Sequence, residues 1–397
     1  MRAHESHRRW LRSARWVSVT VVIVVVVGIS LVVLTRGGGA PAPASAAASA
    51  PAVAGTRVEA GALRCGTGWA GGRTGRLDLA VQNTSAHPME VYLQDYDSRR
   101  VYLDVENIGA GATRAASVTL GPGRYRFVCL GAFSTPVLGP VETVAGAEPA
   151  GATPGLIPVT AGALAPAVRS YHAWIAGRLP VLRDQVRVLD QRVRAGDRSG
   201  AERAWLTAHL TYETLGAAYD AFGAFDAEIN GDTSGFHRIE GLLWHGAPMP
   251  AAAAYTARLK AAVSELVTSF PRMTIAPIDM GLRAHEIVEN AIEFELNGTT
   301  DEGSHTELAT IDANLTGSLR ALAPLRGILR HRDAHLAQTD AWIARSQRLV
   351  RGFHHGDHWT PLTALSRHQR ETLDADLTQT AELLSQVAAI TEPRRAP

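Results

Sequence analysis

The hydrophobic period changes once along this chain of 397 residues, and that change limits what it can fold into. From about 56 to 146, short runs rich in Val, Leu, Tyr and Phe (77–81, 89–93, 115–120, 125–128) are closed by turn signals such as Asn83-Thr84-Ser85 and Gly121-Pro122-Gly123. This pattern predicts a small all-β sandwich. After a soft Ala/Gly/Pro stretch at 147–158, apolar residues recur three and four apart, which predicts helices over 170–194, 199–225, 236–244, 252–270, 279–296, 307–322, 333–350 and 366–390. A helical domain made of packed bundles is therefore expected over 159–392. The chain reads as multidomain.

Ahead of both regions, residues 16–34 run for 19 positions without a charge, close to the ~20 residues that carry a helix across a bilayer core. Arg2, Arg8, Arg9, Arg12 and Arg15 precede that run against a single Glu5, so the positive-inside rule keeps the N-terminus in the cytoplasm and exports the remainder of the chain. Residues 1–35 are thus expected to form a basic tail and a single-pass transmembrane helix, with the bulk of the chain extracytoplasmic. A cleaved signal peptide is the competing reading, since Ala40, Ala42 and Ala44 offer small-residue cleavage sites. Residues 36–55 are Ala, Pro, Gly and Ser with almost no large side chain, a tether whose flexible-coil span is roughly 25 Å.

Lys plus Arg (39) nearly cancels Asp plus Glu (38), so no bulk field draws nucleic acid. The two cysteines, Cys65 and Cys129, both fall on the expected exported side, where a lone pair most simply forms one disulfide. All histidines except His4, His7 and His87 lie in the helical region. His209 and Glu213 stand four apart there, His237 and Glu240 three apart, and His285 and Glu289 four apart, so each pair shares a helix face. His354, His355 and His358 cluster in an expected loop.

One such pair alone is an ordinary solvated contact worth ~0.2–0.5 kcal/mol. Three pairs on separate helices suggest a metal site built from inward-facing carboxylates and imidazoles. Donors of this kind without thiolate suit iron, manganese or zinc rather than copper(I). A zinc peptidase motif is incomplete: the segment beginning His285-Glu286 has Glu289 where HExxH needs histidine, and Gly241 occupies the last position of HxxEH.

The sequence from Gly235 to Glu240, followed by Ser304-His305-Thr306-Glu307-Leu308 and Ala313-Asn314-Leu315-Thr316-Gly317, resembles the imelysin-like domain of EfeO-type iron-uptake proteins. Tyr212-Glu213 also falls where that family carries Tyr-Glu. The β-region is similar to the family's cupredoxin-like domain through Cys65, residues 105–111, and Leu120-Gly121-Pro122-Gly123-Arg124-Tyr125 leading into Cys129. The resemblance spans about 56 to 390. It implies a double helix-bundle domain, iron (Fe2+ or Fe3+) as ligand with zinc as an alternative, and an iron permease and a haem peroxidase as partners. By position it implies metal ligation by His237, Glu240, Glu213 and Glu289, with His209 and His285 as additional candidates. Thr211 stands in place of a family histidine, Thr310 and Thr316 in place of acidic residues, and Gly66 in place of a glutamate. A blue-copper centre needs two imidazoles and a thiolate, whereas the β-module has His87 alone, so copper is not expected there. The leading expectation is an anchored iron-binding component that hands its cargo to a permease. A metal-dependent imelysin-type peptidase and a metal-free interaction protein on the same fold are the alternatives.

Overall fold

The computed structural model describes residues 54–132, 135–231 and 233–395. The apolar run at 16–34 and most of the tether lie outside the described residues, and among these no helix is long and apolar enough to cross a membrane. The described chain holds an N-terminal β-sheet region and a C-terminal helical region within one compact unit.

Two sheets form the first region. One has the order β2 (Cys65–Thr67), β1 (Thr56–Ala60), β4 (Gly75–Asn83), β7 (Thr113–Leu120), with β1 and β4 parallel. The other runs β3 (Gly72–Arg73), β10 (Glu142–Ala145), β8 (Gly123–Gly131), β5 (Met89–Asp95), β6 (Val101–Ile108), and β9 (Val137–Leu138) pairs with β8. Period-two residues from both sheets, among them Val58, Leu79, Val81, Val91, Leu93, Val118 and Phe127, meet in one core. Cys65 on β2 and Cys129 on β8 form a disulfide, so the bridge links the two sheets. Both sulfurs are consumed and His87 is exposed, which leaves no thiolate for a blue-copper donor set.

Strand β8 does not alternate between core and solvent, because seven consecutive residues from Tyr125 to Gly131 are buried. Its second face belongs to a small cluster of Tyr92, Val101, Val128 and Leu130. The chain's end returns to this side: Arg395 donates to the carbonyls of Leu130 and Gly131, and Arg394 approaches Asp104 at 3.7 Å. Bridges Val101–Leu156 and Val159–Pro393 stitch the connecting segment to both regions.

The helical region begins earlier than periodicity suggests, with α1 (Ala161–Arg194) capped by Thr160, whose side chain accepts from Ala163 N. Pro166 and Pro180 inside α1 blur its sequence pattern, yet buried Leu164, Tyr171, Ile175 and Leu179 keep one continuous core stripe. The helix expected over 199–225 is instead α2 (Arg198–Glu213), a 3-10 turn, α3 (Tyr219–Phe222) and α4 (Ala224–Asn230). Gly223, at φ 57°, makes the reversal between the last two, a conformation that costs other residues more. Then follow α5 (Phe236–Trp244), α6 (Met249–Ser269) and α7 (Asp279–Asn290), which runs into a π turn at Ala291–Glu295. After a loop come α8 (Glu307–Leu322), α9 (Arg326–Leu329), α10 (Leu336–Arg351) and α11 (Arg367–Thr391). Helix α1 packs on α2 and α6, while α11 packs on α7 and α10; α2 meets α8 between these groups. Asp190 of α1, almost fully buried, is held by Lys260 and Thr256 of α6 and by Arg194.

The histidine-rich segment is a small hairpin, β11 (His354–His355) and β12 (His358–Trp359), in which His354 stacks on Trp359 at 4.5 Å.

The disulfide closes a 64-residue separation, for which loop entropy gives about 4 kcal/mol of stabilisation. Replacing Cys65 and Cys129 together by alanine should lower the denaturant-unfolding free energy of the β-region by an amount of this order. A loss below about 1 kcal/mol would show that the entropic model of the bridge does not apply.

Candidate metal centre

Helix α2 presents the first two candidate ligands. Asp197 caps it by accepting from Gly200 N at 2.9 Å, and the i,i+4 spacing brings His209 Nε2 to 3.2 Å from Glu213 Oε1. Both residues are buried, and Asn230 Nδ2 donates to the same Glu213 oxygen at 3.0 Å. Helix α5 brings the second pair against the first. A Cβ on Gly235 would lie 2.1 Å from the carbonyl oxygen of Ile229, so glycine lets α5 start hard against the preceding chain. Trp205 of α2 then donates its indole N–H to the Phe236 carbonyl at 2.9 Å, and Arg198 donates to the carbonyls of Leu243 and Ala247 near the far end of α5.

So fixed, the His237 ring lies 5.6 Å from that of His209, and His237 Nδ1 is 3.6 Å from Glu240 Oε2. The other Glu240 oxygen accepts from the backbone N–H groups of Glu302 (3.1 Å) and Ser304 (3.0 Å), which locks the loop before α8 over the pair. A small cavity of about 10 Å³ remains, the size of one water or ion. Its lining includes His209, His237, Glu240, Glu295, Asp301 and Glu307 and, among the described residues, no lysine or arginine.

Burial alone would depress the His237 imidazolium, but Glu240, Glu213 and Glu295 outweigh it and lift the group to about 9. Burial works to raise the carboxyls of Glu213 and Glu240, yet their imidazole and amide partners prevail and hold both below the usual range. Glu295 has fewer such partners: burial, then the nearby Glu213 charge, pushes it up to about 8. The carboxylates thus outnumber the groups that can balance them. Hydrogen bonding is also incomplete, since the buried atoms His209 Nδ1, His237 Nδ1 and Glu307 Oε2 have no hydrogen-bond partner. Oxygen and nitrogen donors around a void of ionic size fit a hard or borderline cation.

Of the residues singled out from sequence, His209, Glu213, His237 and Glu240 come together here. His285 and Glu289 do not join them: they pair with each other at 3.4 Å, and Glu289 is exposed. Spacing identifies a shared helix face but not the direction in which that face points. On this stretch the carboxylate that reaches the cavity is Glu295, six residues further on and the last residue of the π turn, after which the Leu296 N–H bonds the Ala291 carbonyl. Such an insertion rotates every later side chain relative to α-helical register, which a 3.6 period cannot foresee. Of the threonines at departing positions, Thr310 lines the cavity, Thr211 bonds the Thr207 carbonyl, and Thr316 accepts from Gln347.

No family model matches the sequence. The chain is 24% identical over 329 residues to the iron uptake system component EfeO of Yersinia pestis, covering 80% of this chain and 85% of that one. The corresponding protein of Yersinia pseudotuberculosis is 25% identical over the same length. EfeO of Escherichia coli K12 is 22% identical, covering 80% of this chain and 86% of the relative. Across four-fifths of its length, then, the chain is EfeO-like in sequence.

Proposed function

We propose that this protein is a binding component of an iron-uptake system, anchored at the membrane with its folded regions outside the cytoplasm. It captures iron at the cluster of His209, Glu213, His237, Glu240 and Glu295 and passes it to a permease. The observation that carries the reading is the buried excess of carboxylates around two imidazoles, with buried imidazole and carboxylate atoms that make no hydrogen bond and, among the described residues, no lysine or arginine lining the cavity. Burying such charges uncompensated costs several kcal/mol per ion, and a cation removes that cost. The names of the relatives supply the choice of iron. Zinc is the competing cargo for the same donors. The uncharged run at 16–34 supports the anchor.

Replacing His237 by alanine together with Glu240 by glutamine should remove iron binding at this cluster, lowering the calorimetric stoichiometry by one ion per chain, while the helical circular-dichroism signal persists. Glutamine keeps an oxygen that can accept from Glu302 and Ser304, so the loop retains its tether. Wild-type binding by this variant would place the iron elsewhere. Replacement of His354, His355 and His358 by alanine should leave binding unchanged, and lost binding would move the site to the hairpin.

The metal-free protein should also lose stability as pH rises. His237 is raised from 6.5 to about 9, so its contribution is complete below pH 6.5 and disappears as pH passes through about 9. Glu295, raised from 4.5 to about 8, acts in the same direction across its own window. Urea unfolding free energies measured between pH 6.5 and 9 should fall in the metal-free protein and hold more nearly level with saturating iron, because the ligating imidazole is already deprotonated. A flat metal-free profile would contradict the charge arrangement.

A further inference from the structure

A second group of ligating side chains stands outward of the inner cluster. Asp301 and His305 lie in the loop before α8, Glu307 is the first residue of α8, and one ligating atom from each lies within 4.8 Å of the others. Both oxygens of the Asp301 carboxylate are engaged within the loop: Oδ1 accepts from the N–H groups of Gly303 at 3.2 Å and His305 at 2.7 Å, while Oδ2 faces His305 Nδ1 at 2.8 Å. These turn bonds alone would suit an ordinary loop. Glu307 is the additional observation, for its side chain is almost fully buried, it contributes to the same group, and its Oε2 has no hydrogen-bond partner. A carboxylate oxygen left this way carries an uncompensated desolvation cost that a bound cation would remove.

The group also has a direction. The His305 side chain is 55% exposed and that of Asp301 11%, whereas Glu240 of the inner cluster is 2% exposed. Asp301 and Glu307 line the cavity that also holds His237 and Glu240. We propose that Asp301, His305 and Glu307 form a second cation site at the mouth of this cavity, taking a divalent ion through one imidazole and two carboxylates. The proposal rests on the iron-capture reading for its biological sense, and although Asp301 and Glu307 line the same cavity, none of the three donors is assigned to the inner ion.

Equilibrium dialysis of the full chain with Mn2+, a redox-stable ion suited to oxygen and nitrogen donors, tests it. His305→Asn suits the backbone, because His305 has φ 55° and asparagine tolerates that region. Glu307→Gln preserves shape. The wild type should bind two ions per chain, the His305→Asn/Glu307→Gln variant one, and the His237→Ala/Glu240→Gln variant the other one. If the first variant binds as the wild type does, the outer site is overturned and the inner one stands. If the second variant binds as the wild type while the first loses all binding, the inner assignment fails and the outer one stands. A single wild-type ion lost in both variants would mean one shared site, which also overturns the proposal.

Discussion

The carboxylates of Glu213, Glu240, Glu295 and Glu307 converge in the helical region, and opposite them stand the imidazoles of His209 and His237. Much of the surrounding architecture consists of devices that hold these groups together despite their repulsion. The indole of Trp205 pins α5 to α2, two backbone N–H groups grip Glu240, and Asn230 supports Glu213. The carboxylates around His237 favour its protonated form, which is why that imidazole is raised although it is buried. On the iron-capture proposal, a metal entering at neutral pH displaces that proton as it finds its donors.

Legibility in the sequence followed period and local spacing. The change from brief β-runs to helical repetition separated the two regions because it reflects how each backbone buries its apolar side chains. The His237–Glu240 and His209–Glu213 pairs could be read because three- and four-residue spacing places them together without knowledge of the rest. Whether a helix face turns inward is set by tertiary packing, so His285 and Glu289 looked equivalent and are not. Glu295 was hidden by the π turn, and the π turn itself has no marker in this segment such as Pro or paired glycines. The early start of α1 was obscured by Pro166, although the buried stripe on either side of it is continuous.

The departures from EfeO-type sequences also have a physical reading. Thr310, at the position of a family acid, places a neutral hydroxyl in the cavity wall where the charge excess is already large. His209 stacks on Trp205 at 4.7 Å and lies beside Glu213, so an imidazole is present on α2 even though Thr211 carries none. On the proposed reading, His209 is the imidazole donor of α2.

The return of the C-terminal tail bears on the order in which the chain can assemble. Arg395 reaches the Leu130 carbonyl across 265 residues of sequence. A contact of such separation has a large closure entropy and cannot exist until synthesis has passed residue 395. The sheet can close its own interior long before then, but the bonds beside the Tyr92–Val128–Leu130 face wait for Arg394 and Arg395. During vectorial emergence this face is an unfinished seam, joined to the helical region only after the sheet's own core has closed.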